Sequence, residues 1–343
     1  MEPGNLSVVM PNYNHARYLP ESLEALAGQS VRPREIIVVD DGSTDDSVAV
    51  IEAFARRHPF IVLLRQHRNQ GVARALRRGF ERCTGDYVQF ASADDRVMPG
   101  CVEKNLRLLG RHPQAGLCTS LARLLGEDGR DIGPYETPLV CERECFLTPA
   151  EFVAAYLRHG SWLVTYSAVF RRSVVAESGV FEFSNETGLN FDCYMIFYAA
   201  AKYGACFIPE PLVYWRRIET SFGLRSADEG VPGALGHIER FEVRLRAPRC
   251  AGLFPEEFLR AWKRCSLAVL IYEYARRRPD DLRALHVLGG SLADASWLDR
   301  AYFAGLRRGW CGLTASKLYI TLQKPWPERW RLLRRRLGCG GGG

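Results

Sequence analysis

No apolar run in these 343 residues approaches the roughly 18–20 needed to span a bilayer, so the sequence predicts no transmembrane helix. The opening residues, Met1-Glu2-Pro3-Gly4-Asn5, lack the basic and apolar stretches of a signal peptide. The 11 cysteines contain no Cys-x-x-Cys pair, and their odd number and scattered spacing argue against a zinc site or a disulfide framework. They read as reduced thiols of a cytoplasmic protein, many of them small core fillers. No Gly-x-Gly-x-x-Gly stands between a predicted strand and helix, the spacing occurring only in the tail at 338–343, which argues against the dinucleotide fingerprint of a dehydrogenase. A formal net charge of +7 is too modest to argue for nucleic acid as a partner. There is no internal repeat. What remains is ordinary globular composition, long enough for a domain of about 200 residues or more with a smaller appendage.

The chain is organised around Ile36-Ile37-Val38-Val39-Asp40-Asp41-Gly42-Ser43-Thr44-Asp45. Four β-branched residues read as a buried strand that ends in two carboxylates, a glycine and good helix caps. Before it, residues 6–10 form a strand stopped by Pro11 and the loop Asn12-Tyr13-Asn14-His15, then a helix with Leu19, Leu23 and Leu26 on one face. After it come a helix carrying Val48, Ile51 and Phe54, a strand at 61–64 and a basic helix at 72–83. A further strand at 87–91 ends in Ser92-Ala93-Asp94-Asp95. Such alternation with short connections predicts a parallel sheet with right-handed crossovers. Further on, the pattern predicts a helix with Val102, Leu106 and Leu109, a strand at 117–121 and a hairpin or loop at 126–138. A helix at 148–159 and a strand at 162–170 follow. A polar surface loop at 185–190 leads into a helix from Phe191 to Gly204, and short strands at 206–208 and 212–215 flank Pro209-Glu210-Pro211.

Ligands of open parallel sheets bind beyond the carboxyl ends of the strands. Two strands that deliver paired aspartates to that edge suit a hard cation, Mg²⁺ or Mn²⁺, held by one or two carboxylates and by phosphate oxygens. Tyr13 offers a flat face to a nucleobase, and a carboxylate can accept the N–H of uracil or guanine. Either aspartate pair alone is equally the mark of a helix cap or turn. The argument rests on their occurring together.

In order and spacing, Pro11-Asn12-Tyr13-Asn14, then Val38-Val39-Asp40-Asp41-Gly42-Ser43-Thr44-Asp45, then Asn69-Gln70-Gly71-Val72, then Gly85-Asp86-Tyr87 leading to Asp94-Asp95, resemble the family 2 glycosyltransferases over residues 5–222. The resemblance implies a GT-A fold: an α/β, Rossmann-like, mostly parallel sheet sandwiched by helices, here with a C-terminal helical region. It also implies inverting transfer from a nucleotide-diphosphate sugar, a UDP-sugar being favoured, with Mn²⁺ or Mg²⁺. Position by position, Pro11, Tyr13, Asp41, Asn69, Gly71 and Asp94 resemble donor-binding residues, with Asp41 reading the base. Asp94 and Asp95 resemble the metal-side pair, and Asp192, in Phe191-Asp192-Cys193, resembles the catalytic base. One carboxylate that takes the acceptor hydroxyl's proton is what inverting transfer requires.

The family pattern is broken at three places: Ser92 where an acid is common, Leu76-Arg77 in the helix after Gly71, and Arg216-Arg217-Ile218-Glu219 where a His is common. Arg216 or Arg217 could instead balance diphosphate charge. Processive synthases are disfavoured by the absence of Gln-x-x-Arg-Trp, and sugar nucleotidyltransferases by the absence of a Gly-x-Gly-Thr-Arg loop. The expected domains are a catalytic one at 1–228, a helical region at 229–339 and a tail at 340–343. In the helical region, Trp326, Trp330, Leu333 and Leu337 are interleaved with Arg329, Arg331, Arg334, Arg335 and Arg336. That pattern fits either an anionic membrane surface or a helix packed on the protein. The sequence therefore predicts a cytoplasmic enzyme, peripheral on the inner membrane face. It would transfer sugar to a glycan or lipid-linked acceptor in cell-surface polysaccharide biosynthesis. The alternative is a catalytically weak or inactive nucleotide-sugar-binding module.

Overall fold

The computed structural model describes residues 4–135, 137–182, 191–218 and 230–277. They fall into two compact units, one of residues 1–152 with 163–219 and one of 153–162 with those from 220 on. The first holds the whole sheet. Its opening half follows the βα alternation in the sequence: β1 Gly4–Asn12, α1 Leu19–Ala27, β2 Pro33–Asp40, α2 Ser47–Arg57, β3 Ile61–Arg65, α3 Val72–Phe80 and β4 Tyr87–Phe90. β3, β2, β1 and β4 lie side by side and pair in parallel.

Alternating side chains of β1 and β2 serve two helical layers, as strand periodicity demands. Val8, Met10, Ile36 and Val38 join Leu19, Leu23, Leu26, Ile51 and Phe54 in one buried cluster. On the opposite face Val9 and Val39 meet α3 at Gly79, where an added Cβ would come within 2.4 Å of a Val9 methyl. The helix rides so close to the sheet because that position has no side chain.

Beyond β4 the chain continues through β5 Arg96–Val97, α4 Cys101–Arg111, β6 Leu117–Leu125, β7 Asp131–Pro134, β8 Cys145–Leu147 and α5 Pro149–His159. Then come β9 Val169–Arg171, α6 Arg172–Ser178, α7 Phe191–Tyr203 and β10 Ala205–Arg216. The sheet order is β3-β2-β1-β4-β9-β6-β10-β5, with β7 on β6 and β8 on β10. β1, β2, β3, β4, β6 and β10 share one direction; β9, β5, β7 and β8 oppose it. The ends of β1, β2, β4, β6 and β10 therefore open on one edge.

Several expectations are corrected. Residues 162–170 are not one strand: a 3-10 turn at Thr165–Ser167 precedes the short β9. That turn is held by the Ser167 hydroxyl, which accepts the Ser120 N–H and lies 3.0 Å from the Thr119 hydroxyl. The two strands expected around Pro209 and Pro211 are one, β10, with register shifts at the prolines, which have no N–H for the ladder. Cys141 and Cys145 form a disulfide, against the all-thiol reading. Other cysteines do behave as core fillers, and burial pushes the thiols of Cys83 and Cys101 up to about 12.

The second unit is helical where described, with α8 Gly230–Leu245 and α9 Glu256–Arg277 joined by the stacked pair Phe241–Trp262 and by Lys263 with Glu242. The basic segment around Trp326 and Trp330 lies outside the described residues. Among the described residues no helix is long and apolar enough to cross a membrane.

Gly79→Ala tests the close packing of α3. Helix propensity alone would make it stabilising by about 1 kcal/mol. The clash with Val9 should instead make it destabilising by about 1–3 kcal/mol, read by chemical denaturation.

Candidate active site

The loops after β1 and β2 are built as one object. The Asn12 side chain donates to Asp40 and to the Ser43 hydroxyl, both at 3.2 Å, and Asp40 accepts the Ser43 N–H at 3.0 Å. Asn14, in the left-handed region at φ 56°, accepts the Thr44 N–H, while Asp45 accepts that of Ala16. Asp40, Ser43 and Asp45 are thus spent on the loop, which presents Tyr13 to solvent at 41% exposure. Pro11 lies within β1, opposite Val39.

Asp41 is buried and faces the next loop. Its carboxylate accepts the Gln66 side-chain N–H and the main-chain N–H groups of Gln70 and Gly71, all at 2.8 Å. Asn69 also accepts the Gly71 N–H. Gly42 lets the two loops meet: at φ +75°, its Cβ would lie 2.7 Å from the Arg68 backbone. Asp41, Asn69 and Gly71 therefore form one connected turn beside Asp40. Gln66 was not anticipated; it sits at the end of β3, with no pattern to mark it.

The Asp94–Asp95 turn follows β4. Burial raises the Asp94 carboxyl, opposed by the charge of His15. Burial and the neighbouring Asp94 charge raise Asp95 well above the ordinary range, opposed by a hydrogen bond from the Arg216 N–H at 2.8 Å. His15, two residues beyond Tyr13 on the same loop, thus joins the site. The proximity of Tyr13 in sequence was the signal that could have revealed it.

Arg216 is buried and bonded to other protein groups. It is 2% exposed, and its guanidinium donates to the carbonyls of Asp94 (2.8 Å), Gly126 (3.1 Å) and Glu127 (3.4 Å) and to the carboxylate of Glu21. The Tyr18 ring lies 4.9 Å away. A guanidinium has five donors in a fixed fork, and these partners engage four of them. Arg217 is exposed and donates its N–H to Leu125.

Asp192 stands in the first turn of α7 and is partly buried. Burial raises its carboxyl; hydrogen bonds from the Cys193 N–H (2.8 Å) and the Thr165 hydroxyl pull it back. Some 100 residues of chain separate it from Asp95, yet the charges of both act on the Tyr166 hydroxyl, whose pKa is raised well above normal, first by burial. Tyr166 also lines a small cavity with Ser92 and Asp95. The 3-10 turn that the sequence concealed is what puts Tyr166 and Thr165 here. The loop at 184–190 lies outside the described residues.

Two carboxylates that raise each other's cost of ionisation are a fit for a divalent cation, which would relieve that repulsion. Among the described residues no group of three or more His, Cys, Asp or Glu could hold a metal, so phosphate oxygens and water would supply the other ligands.

The pattern described as Glycosyl transferase family 2 matches residues 7–178. Over 98 residues the chain is 42% identical to the uncharacterized glycosyltransferase YibD of Escherichia coli, covering 29% of this chain and 28% of that protein. Also over 98 residues, it is 37% identical to glycosyltransferase GlyG of Streptococcus pneumoniae, covering 29% of this chain and 33% of that protein. The matches thus span only about a third of these relatives' length. In three dimensions the chain resembles S. aureus TarS 1–349 in complex with UDP-GlcNAc, with a TM-score of 0.57 at 16% identity over 95% of this chain and 91% of that one. It equally resembles the mannosyltransferase PcManGT of Pyrobaculum calidifontis in complex with GDP-Man and Mn²⁺, with a TM-score of 0.57 at 19% identity over 95% and 88%. These likenesses establish the GT-A fold. With half of its length matched by the family pattern, the chain belongs to glycosyl transferase family 2.

Proposed function

We propose that the chain is an inverting glycosyltransferase that moves a sugar from a nucleotide diphosphate, a UDP-sugar being favoured, to a glycan or lipid-linked acceptor in cell-surface polysaccharide biosynthesis. The observation that carries the reading is that Tyr166 lines a cavity with Asp95 while the hydroxyl of the preceding Thr165 bonds Asp192. One acid belongs to the turn that would hold the diphosphate side, the other to the helix that would meet the acceptor. The nucleotide complexes of TarS and PcManGT support a nucleotide-sugar donor.

In this reading Tyr13 and Pro11 frame the base, and Asp41, with Asn69 and Gly71, borders it. Asp94 and Asp95 would hold Mg²⁺ or Mn²⁺. When bound, such a cation neutralises charge on the departing diphosphate, so no second protein acid is needed. Asp192 accepts the acceptor hydroxyl's proton at a carboxylate oxygen as the hydroxyl attacks. Burial raises its proton affinity, which strengthens it as a base provided the working pH keeps it ionised. Arg216 positions Asp95 through its own N–H and so orients the diphosphate side without touching it.

Residues 1–228 would form the catalytic domain and 229–339 an accessory helical region, whose arginine-rich end attaches to an anionic membrane surface. The rival, a binding module without transfer, is favoured by Ser92 at a position where an acid is common.

Asp192→Asn should lower kcat by about 10²–10⁴-fold with donor affinity kept, and unchanged activity would remove Asp192 as base. In the wild type, kcat/KM should fall as pH drops through a value above the usual aspartate pKa of about 3.9. Asp95→Asn should abolish Mn²⁺-dependent UDP binding, yet raise the melting temperature of the metal-free protein at neutral pH. The native Asp95 keeps its proton to higher pH than the unfolded one, so stability falls as pH rises through that window, and asparagine removes the loss. Metal-independent UDP binding of equal strength in the wild type would refute the metal role. Deleting 323–343 should release the protein from phosphatidylglycerol-containing liposomes; retention there would favour the packed-helix alternative.

A further inference from the structure

Beside the two carboxylates the sheet edge is aromatic. The rings of Tyr166 and Trp215 lie parallel, with centroids 5.0 Å apart and planes 9° apart. Tyr135, just after β7, meets both edge-on, at 5.5 Å from Trp215 and 6.5 Å from Tyr166. All three rings remain partly exposed. Along β10, Trp215 alternates with the buried Arg216 and so points to the opposite face of the strand. Tyr166 shares a cavity with Asp95 and directly follows Thr165, whose hydroxyl bonds Asp192, so the trio adjoins both acids.

Three large rings left partly in water forgo burial energy that a closed core would recover, so a flat, partly apolar group is the natural complement. Two cations at this edge are already engaged: Arg216 with Glu21 and three carbonyls, and Arg96, which lines the cavity, with Glu21 at 2.6 Å. A pyranose ring has the required shape. Its C–H groups form an apolar face, while its hydroxyls project from the rim, where one can reach a carboxylate as the face lies on an aromatic ring.

We propose that Tyr135, Tyr166 and Trp215 form the acceptor subsite and take a pyranose ring of a glycan, face on the aromatic surface, with one rim hydroxyl directed to Asp192. The proposal rests on the glycosyl-transfer reading above and narrows its acceptor to one whose attacking end is a sugar ring.

The test is saturation-transfer NMR on the full chain with UDP and Mg²⁺, probed with the methyl β-glycosides of glucose, galactose and N-acetylglucosamine. Ring C–H protons of at least one glycoside should saturate. Trp215→Ala and Tyr135→Leu should each weaken that binding by about 2- to 10-fold, the range expected for a lost aromatic contact, while UDP signals in the same sample persist. Two variants guard against one that fails to fold, and the UDP signals report an intact fold. Equal glycoside saturation in both folded variants overturns the proposal. So does a wild type that saturates UDP but none of the three glycosides, which leaves the donor reading standing. A wild type that fails to saturate UDP overturns the donor reading and the subsite with it.

Discussion

Arg216 carries a full positive charge with 2% of its surface in water, a state that is costly unless every donor is satisfied. Its partners come from separate parts of the chain: Glu21 on α1, the Asp94 carbonyl after β4, and the Gly126–Glu127 turn after β6. Its own N–H holds the Asp95 carboxylate. Losing a partner would leave a buried guanidinium under-satisfied, so these segments hold together or fail together. The geometry of the Asp94–Asp95 turn is therefore set largely by a residue more than 120 positions later.

That clamp explains how the edge can tolerate several acids. Asp94, Asp95 and Asp192 all sit where burial opposes ionisation, and Asp95 also feels Asp94. Such placement lowers the stability of the empty protein at neutral pH. It is the arrangement that suits a base with raised proton affinity and a pair of acids awaiting positive charge. By contrast, Asp40 accepts two hydrogen bonds and Asp41 three from the loops that carry Tyr13 and Gly71.

The first half of the sheet was legible because its signals are local. The apolar run of β2, the heptad-like spacing of Leu19, Leu23 and Leu26, and turn residues between them each follow from a few neighbouring side chains. Legibility fades after β4. The stretch 162–170 has strand composition, but Ser167 and Thr119 hold part of it in a 3-10 turn through partners some 48 positions apart, which no local pattern records. The partners of Arg216 were hidden for a similar reason: its four acceptors lie 89 to 195 positions away in sequence.

By itself, the sequence determined the βα alternation, the strand ends that bear acids, and the membership that those short motifs signal in combination. Periodicity, turn chemistry and spacing are written in adjacent residues. Only the tertiary structure decided what surrounds each acid. Whether an aspartate is saturated, desolvated or paired depends on groups brought close by the sheet order and by a buried arginine. Hydrogen bonding and desolvation fall off within a few ångströms in space, regardless of distance along the chain. The same holds for Tyr135, Tyr166 and Trp215, three scattered residues that become one aromatic surface only when β6, β7 and β10 lie side by side.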